Sequence, residues 1–210
     1  MKSILLFFIF FISGALAFGQ SQADAFIKEA QQFLAQKKYK EAQLSLHDAI
    51  NDINAILAEQ VAAGMPAEIN GLKAEGDGEI NTASMGMVGG GLSINKKYVH
   101  PSKKENEADV NIISNSPMLA TINMFMSNPA MLGEGYKSVR VGTRRAILKT
   151  ETEDYYDDNG ASKKIRASEL QIPLSQTLIS INFKAFATEA EELAFATKLD
   201  IDKLIGLLGE

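Results

Sequence analysis

Two histidines, His47 and His100, are the side chains of this sequence best suited to move a proton near neutral pH, so hydrolytic or metal chemistry would have to gather around them. Neither has neighbours at ligand spacing. His47 stands beside Asp48 in a stretch of helical character and reads as a solvated or packed residue. His100 precedes Pro101 in a charged loop with Ser102, Lys103, Lys104 and Glu105. A Ser-His-Asp triad is defined by geometry and not by order along the chain, so order alone leaves a hydrolase open. No G-x-S-x-G elbow marks one serine as activated. The acidic stretch Glu151, Glu153, Asp154, Asp157 and Asp158 invites a calcium test, but its spacing departs from the alternation that an EF-hand loop uses to bring six to eight oxygens to the ion. Asp157-Asp158-Asn159-Gly160 reads better as turn chemistry, because these residues tolerate positive φ and bond their own backbone. The run Met85-Gly86-Met87-Val88-Gly89-Gly90-Gly91 lacks both the Lys-Ser/Thr ending of a P-loop and the spacing of a dinucleotide site. No catalytic residue, no metal ligand and no cofactor is therefore expected.

The elements that would position any site divide into four stretches. Residues 1–17 read as a secretory signal: Lys2, an apolar run from Ile4 to Ile12, then Ala15-Leu16-Ala17 with small residues at the cleavage positions. Ser13 and Gly14 keep the run short of the roughly 20 apolar residues that span a bilayer, so a cleaved leader is expected and no stable membrane anchor. The leader-like segment points to an exported protein, periplasmic or secreted, and the absence of cysteine removes disulfide staples and the thiol of a lipoprotein site. The formal net charge of −5 argues against nucleic acid as a partner. With 46% hydrophobic and 22% charged residues the remainder can bury a core.

Residues 18–66 read as a helical hairpin, with neither Pro nor Gly from Ala23 to Ala63. Phe26, Ala30 and Phe33 recur at spacings of four and three, and Ala42, Leu46, Ala49, Ile50, Ile53, Ile56 and Leu57 form a longer stripe that Gly64-Met65-Pro66 ends. The run Lys37-Lys38-Tyr39-Lys40-Glu41-Ala42, with Leu46 and Ala49 after it, resembles the turn and second helix of a tetratricopeptide repeat. Phe26, Ala30 and Phe33 fall where that repeat places an aromatic, a small residue and an aromatic. Glu29 stands where the repeat prefers Leu, Lys37 where it uses Gly and Asn54 where it uses Pro, and no second copy follows. A lone repeat cannot bury its own apolar face. Either the rest of the chain or a second copy covers it, or Phe26, Phe33, Tyr39, Leu46 and Ile53 are left to bind a partner protein.

Residues 67–91 are dense in glycine and read as a flexible linker that should bury little and let the hairpin move unless its apolar face docks on the following domain. Residues 92–210 read as an α+β domain: an antiparallel sheet with two or three helices packed on one face. Leu92 and Ile94, Val110 and Ile112, Val139 and Val141, Ile147 and Leu148, Leu170 and Ile172, and Ile179, Ile181 and Phe183 mark strands; Gly142 suggests a bulge or turn and Asn159-Gly160 a hairpin. Ser116-Pro117 opens a helix to about Asn128. Thr188 and Glu191 form a capping box, and Asp200 caps a last turn. In element order the domain is similar to the small exported domains related to the photosystem accessory protein PsbP; that similarity implies no functional residue.

Met118, Met124, Met126 and Met131 read as core filling or, failing that, as the soft lining of a cavity for a small apolar ligand between sheet and helix. Lys137, Arg140, Arg144, Arg145, Lys149, Lys163, Lys164 and Arg166 read as solvated strand faces opposed to the acidic stretch, or else as a patch for an acidic partner or lipid headgroups. The expected function is that of an exported, non-enzymatic binding protein of the bacterial cell envelope, with carriage of a small apolar ligand as the alternative.

Overall fold

The computed structural model describes residues 21–76, 78–81, 91–156 and 160–210. The expected signal segment, most of the glycine-rich run and Asp157 to Asn159 lie outside the described residues. Helix α1 spans Gln22–Ala35 and α2 Tyr39–Gly64. Small residues line their contact, Ala23 and Ala30 against Ala42, Ser45 and Ala49, so the two backbones approach closely. Two side-chain bonds hold the pair: the Ala23 amide donates to Asp52 Oδ2 at 2.8 Å, and Ser45 Oγ donates to Glu29 Oε2 at 2.9 Å. In the turn, Lys37 takes φ 60°, the left-handed conformation that the repeat's glycine would adopt without strain.

Helix α1 covers only the first half of α2. The 26 residues of α2 extend about 39 Å, and its second half enters the domain core through Ala58, Val61 and Ala62, followed by Met65. Three side chains then satisfy carbonyls at its end: Lys96 Nζ donates to Ala62 O at 3.0 Å, Lys203 Nζ to Gly64 O at 2.8 Å and Tyr98 Oη to Pro66 O at 2.8 Å. Ala62 O also accepts the Met65 amide at 3.3 Å, Gly64 O is a last-turn carbonyl and Pro66 O lies just past the helix; cations such as Lys96 and Lys203 are favoured at this negative end of the helix dipole. Tyr98 is fully buried, and burial pushes its phenol up to about 12, so it stays a neutral donor at physiological pH. The mobile join expected after Pro66 is therefore corrected: the hairpin's second helix is itself a core element.

The linker reading of residues 67–91 needs the same correction. Strands β1 (Glu68–Ile69), β2 (Leu72–Ala74) and β3 (Glu79–Asn81) fall within it, and Ile69 and Leu72 are core residues. The turn between β1 and β2 uses Asn70 and Gly71, both at positive φ. The remaining strands are β4 (Ser93–His100), β5 (Lys103–Ser114), β6 (Tyr136–Val141), β7 (Arg144–Tyr156), β8 (Ser162–Pro173) and β9 (Thr177–Lys184). Among the described residues all pairings are antiparallel, in the order β1-β2-β4-β5-β9-β8-β7-β6, with β3 also on β4. Gly142, at φ 59°, belongs to the tight turn from β6 to β7.

Strand alternation sends Ile94, Tyr98, Val110, Leu170, Ile181 and Phe183 to one face. Three helices cover that face: the end of α2, α4 (Glu189–Lys198) and α5 (Ile201–Leu208). The expected caps are present, the Glu191 amide donating to Thr188 Oγ1 and the Lys203 amide to Asp200 Oδ1, each at 3.3 Å. Helix α3 (Leu119–Ser127) lies on the opposite face, where Ile122 sits on Ile147 and Leu178. The α+β architecture expected from the sequence is thus the one observed, with α3 as an outlying cover for the second face.

On that second face Glu107 receives two lysines, Lys97 at 2.6 Å and Lys184 at 2.9 Å. Burial pushes its carboxyl up, but these hydrogen bonds outweigh burial and hold it below the usual carboxylate range. A depressed acid contributes stability above its unfolded pKa and loses it as pH falls through the folded one. Stability should therefore decline below about pH 4.3, and Glu107→Gln should flatten part of that decline. Denaturation midpoints measured from pH 6 to pH 3 on both proteins check this; parallel curves would refute it.

Candidate functional site

Helix α2 carries two apolar seams at helical spacing. Ala42, Ser45 and Ala49 make the first, which α1 fills. Tyr39, Leu46, Ile50 and Ile53 make the second, continued by the half-buried Leu57, and it is open: exposures are 63%, 43%, 44% and 49%. With Gln43 and Gln60 included, the spacing runs 4, 3, 4, 3, 4, 3, the repeat of a helix-on-helix interface. None of these seven positions is charged.

The flank of α1 extends this surface. Phe26 and Phe33 form one shoulder of α1, Ile27 and Leu34 the other. Glu29 stands on the Phe26 shoulder and bonds Ser45, which lies on the far side of the contact line from Leu46. Ile27 and Leu34, 37% and 49% exposed, therefore fall on the same side as the open seam. Exposed apolar surface rimmed by polar residues makes this face the candidate interaction surface.

Of the five residues singled out in the sequence, the structure brings Tyr39, Leu46 and Ile53 together on the seam. Phe26 and Phe33 are half-buried on the other shoulder and do not join it. Ile50 belongs to the seam and Ile27 and Leu34 to its extension; the absence of charge between them was the signal that finds them.

The other features that could do chemistry are scattered over the molecule. His47 is exposed and makes no hydrogen bond among the described residues, and the His100 ring accepts the Ser102 amide at 3.1 Å. An open cavity of about 410 Å³ under the β4–β5 turn gathers Lys73, Lys97 and Lys104, but Glu75 and Glu107 line it too. The basic residues of the sheet are largely paired: Lys137 with Glu189, Arg144 with Asp202 at 2.9 Å, Lys149 with Glu151 at 2.8 Å and Lys163 with Glu105 at 2.6 Å. Of the four methionines near α3, Met126 packs on the second-face cluster, whereas Met118, Met124 and Met131 are about half exposed. Side chains from Ile122 and Leu119 occupy the interface between that helix and the sheet. Among the described residues no group of three or more His, Cys, Asp or Glu could hold a metal ion, and no helix is long and apolar enough to cross a membrane.

Comparison with known proteins adds no relative: no family model, no curated protein and no solved structure matches the chain.

Proposed function

We propose that this chain is an exported, non-enzymatic interaction protein of the cell envelope, whose hairpin presents the open seam of α2 to a helix of a partner. The observation that carries the reading is the uncharged 4-3 stripe through Tyr39, Leu46, Ile50 and Ile53, which the described residues leave uncovered. Such a stripe is the surface into which an amphipathic helix lays its anchors. The hairpin's resemblance to a tetratricopeptide unit and the leader-like first 17 residues support the same reading.

The test is co-purification of a tagged chain from the envelope fraction, set against Leu46→Glu/Ile53→Glu. Both residues are exposed, so the variant should match the parent in circular dichroism and melting temperature. Any bound chain, whether another protein or an untagged copy of this one, should fall at least about tenfold in yield, because burying a charge in an apolar interface is prohibitive. Equal recovery with folded variant and parent would sink the reading.

A further inference from the structure

We infer that the helix on the open seam is α2 of a second copy, the two hairpins packing as an antiparallel four-helix bundle about a two-fold axis near residue 48. The inference rests on the seam being a helix-docking surface and names its occupant. In an antiparallel pair the two sets of seam positions face one another. One register brings Leu46 against Ile50 of the other copy, Gln43 against Ile53 and Tyr39 against Leu57. Every contact then occurs twice, as an isologous interface requires.

Two features of the foot of the hairpin fit this register. Beside Leu57 lies a cavity of about 210 Å³ lined by Asn54, Leu57, Asn115, Leu208 and Glu210 among others. The register delivers to it the ring of Tyr39, which is 63% exposed in one copy; an aromatic with a polar tip suits a pocket with an apolar wall and amide and carboxylate groups. Charge follows the same order. Lys37, Lys38 and Lys40 surround Tyr39 at the tip, whereas the foot carries the Glu210 carboxylate, one oxygen of which accepts the Gln176 amide at 2.8 Å, and the carbonyl end of α5. Knob and hole, and basic tip and acidic foot, are thus on one chain at the separation that an antiparallel copy needs. A parallel pair would set tip lysines against tip lysines.

Sedimentation of the full chain, exported and processed, should give a dimer at micromolar concentration, with Leu46→Glu/Ile50→Glu monomeric and equally folded and Tyr39→Ala dissociating at least about tenfold more readily. Because the chain has no cysteine, single thiols report orientation cleanly. Gln43→Cys and Ile53→Cys chains, mixed and oxidised, should cross-link to each other; each alone should not, since like residues stand about 15 Å apart along the axis. A parent that stays monomeric overturns the inference, as does Gln43→Cys linking to itself, which would mean a parallel pair. A monomer that captures another envelope protein through Leu46 and Ile53, or that floats with vesicles of phosphatidylethanolamine and phosphatidylglycerol, overturns it too. The first of these two leaves the helix-docking reading standing; a monomer that captures nothing ends both.

Discussion

Phe195→Ala should lower stability by about 3–5 kcal/mol, the range for removing a large aromatic from a packed core. Phe195 is fully buried on α4 and meets three rings edge to face: Tyr98 at 5.4 Å, Phe183 at 5.6 Å and Phe186 at 6.1 Å between centroids. Edge-to-face pairs contribute about 0.5–1.5 kcal/mol beyond their buried area, and one substitution removes three of them. The rings come from β4, β9, the loop after β9 and α4, so the void would open where helices meet the sheet. Against a total of about 5–15 kcal/mol, the variant should be close to unfolding at ambient temperature. Urea titration should show a lower midpoint with an unchanged slope. A loss under about 1.5 kcal/mol would mean that the site collapses around the void and that the aromatic cluster is not the keystone described.

Glu192→Ala should cost a similar amount by a different route. Glu192 is 1% exposed, and Arg166 donates to it twice, from Nε at 2.8 Å and Nη2 at 2.9 Å, while Ser168 Oγ donates at 2.6 Å. The Glu192 hydrogen bond holds the guanidinium above its ordinary pKa. Removing the carboxylate strands a partly buried cation and a buried hydroxyl, which costs about 3–5 kcal/mol when one partner of a buried pair is lost. Replacing the pair together, Arg166→Met with Glu192→Leu, should cost much less, because a buried ion pair gains little over apolar groups of the same shape. A double-mutant cycle by urea titration separates the two; additive losses would show that Arg166 and Glu192 do not act as a unit.

What the sequence made legible follows from length. Strands β4, β5, β8 and β9 run eight to twelve residues, long enough for alternation to show, and the caps at Thr188 and Asp200 are written in single side chains. Strands β1 to β3 are two or three residues each, too short for any period, and their glycines dominate the reading although Ile69 and Leu72 are buried. Lys96 is legible only in three dimensions: a lysine in a strand reads as solvent-facing, yet its amine is needed inside to meet a helix end. At the candidate surface the stripe was readable from spacing. Which shoulder of α1 joins it was not, since both shoulders are apolar and only the Glu29–Ser45 bond distinguishes them.

Helix α2 is unbroken from the turn of the hairpin to its fastened end, with no proline or glycine before Gly64. A helix without such an interruption bends gently and does not fold at a joint. The projecting half is therefore a cantilever, built into the domain at one end and loaded at the other. A force on Tyr39 reaches the Lys96, Tyr98 and Lys203 anchors as torque, some 35 Å away by the helical rise. Anything bound at the tip would be held at a set stand-off from the sheet, fixed by the length of one helix.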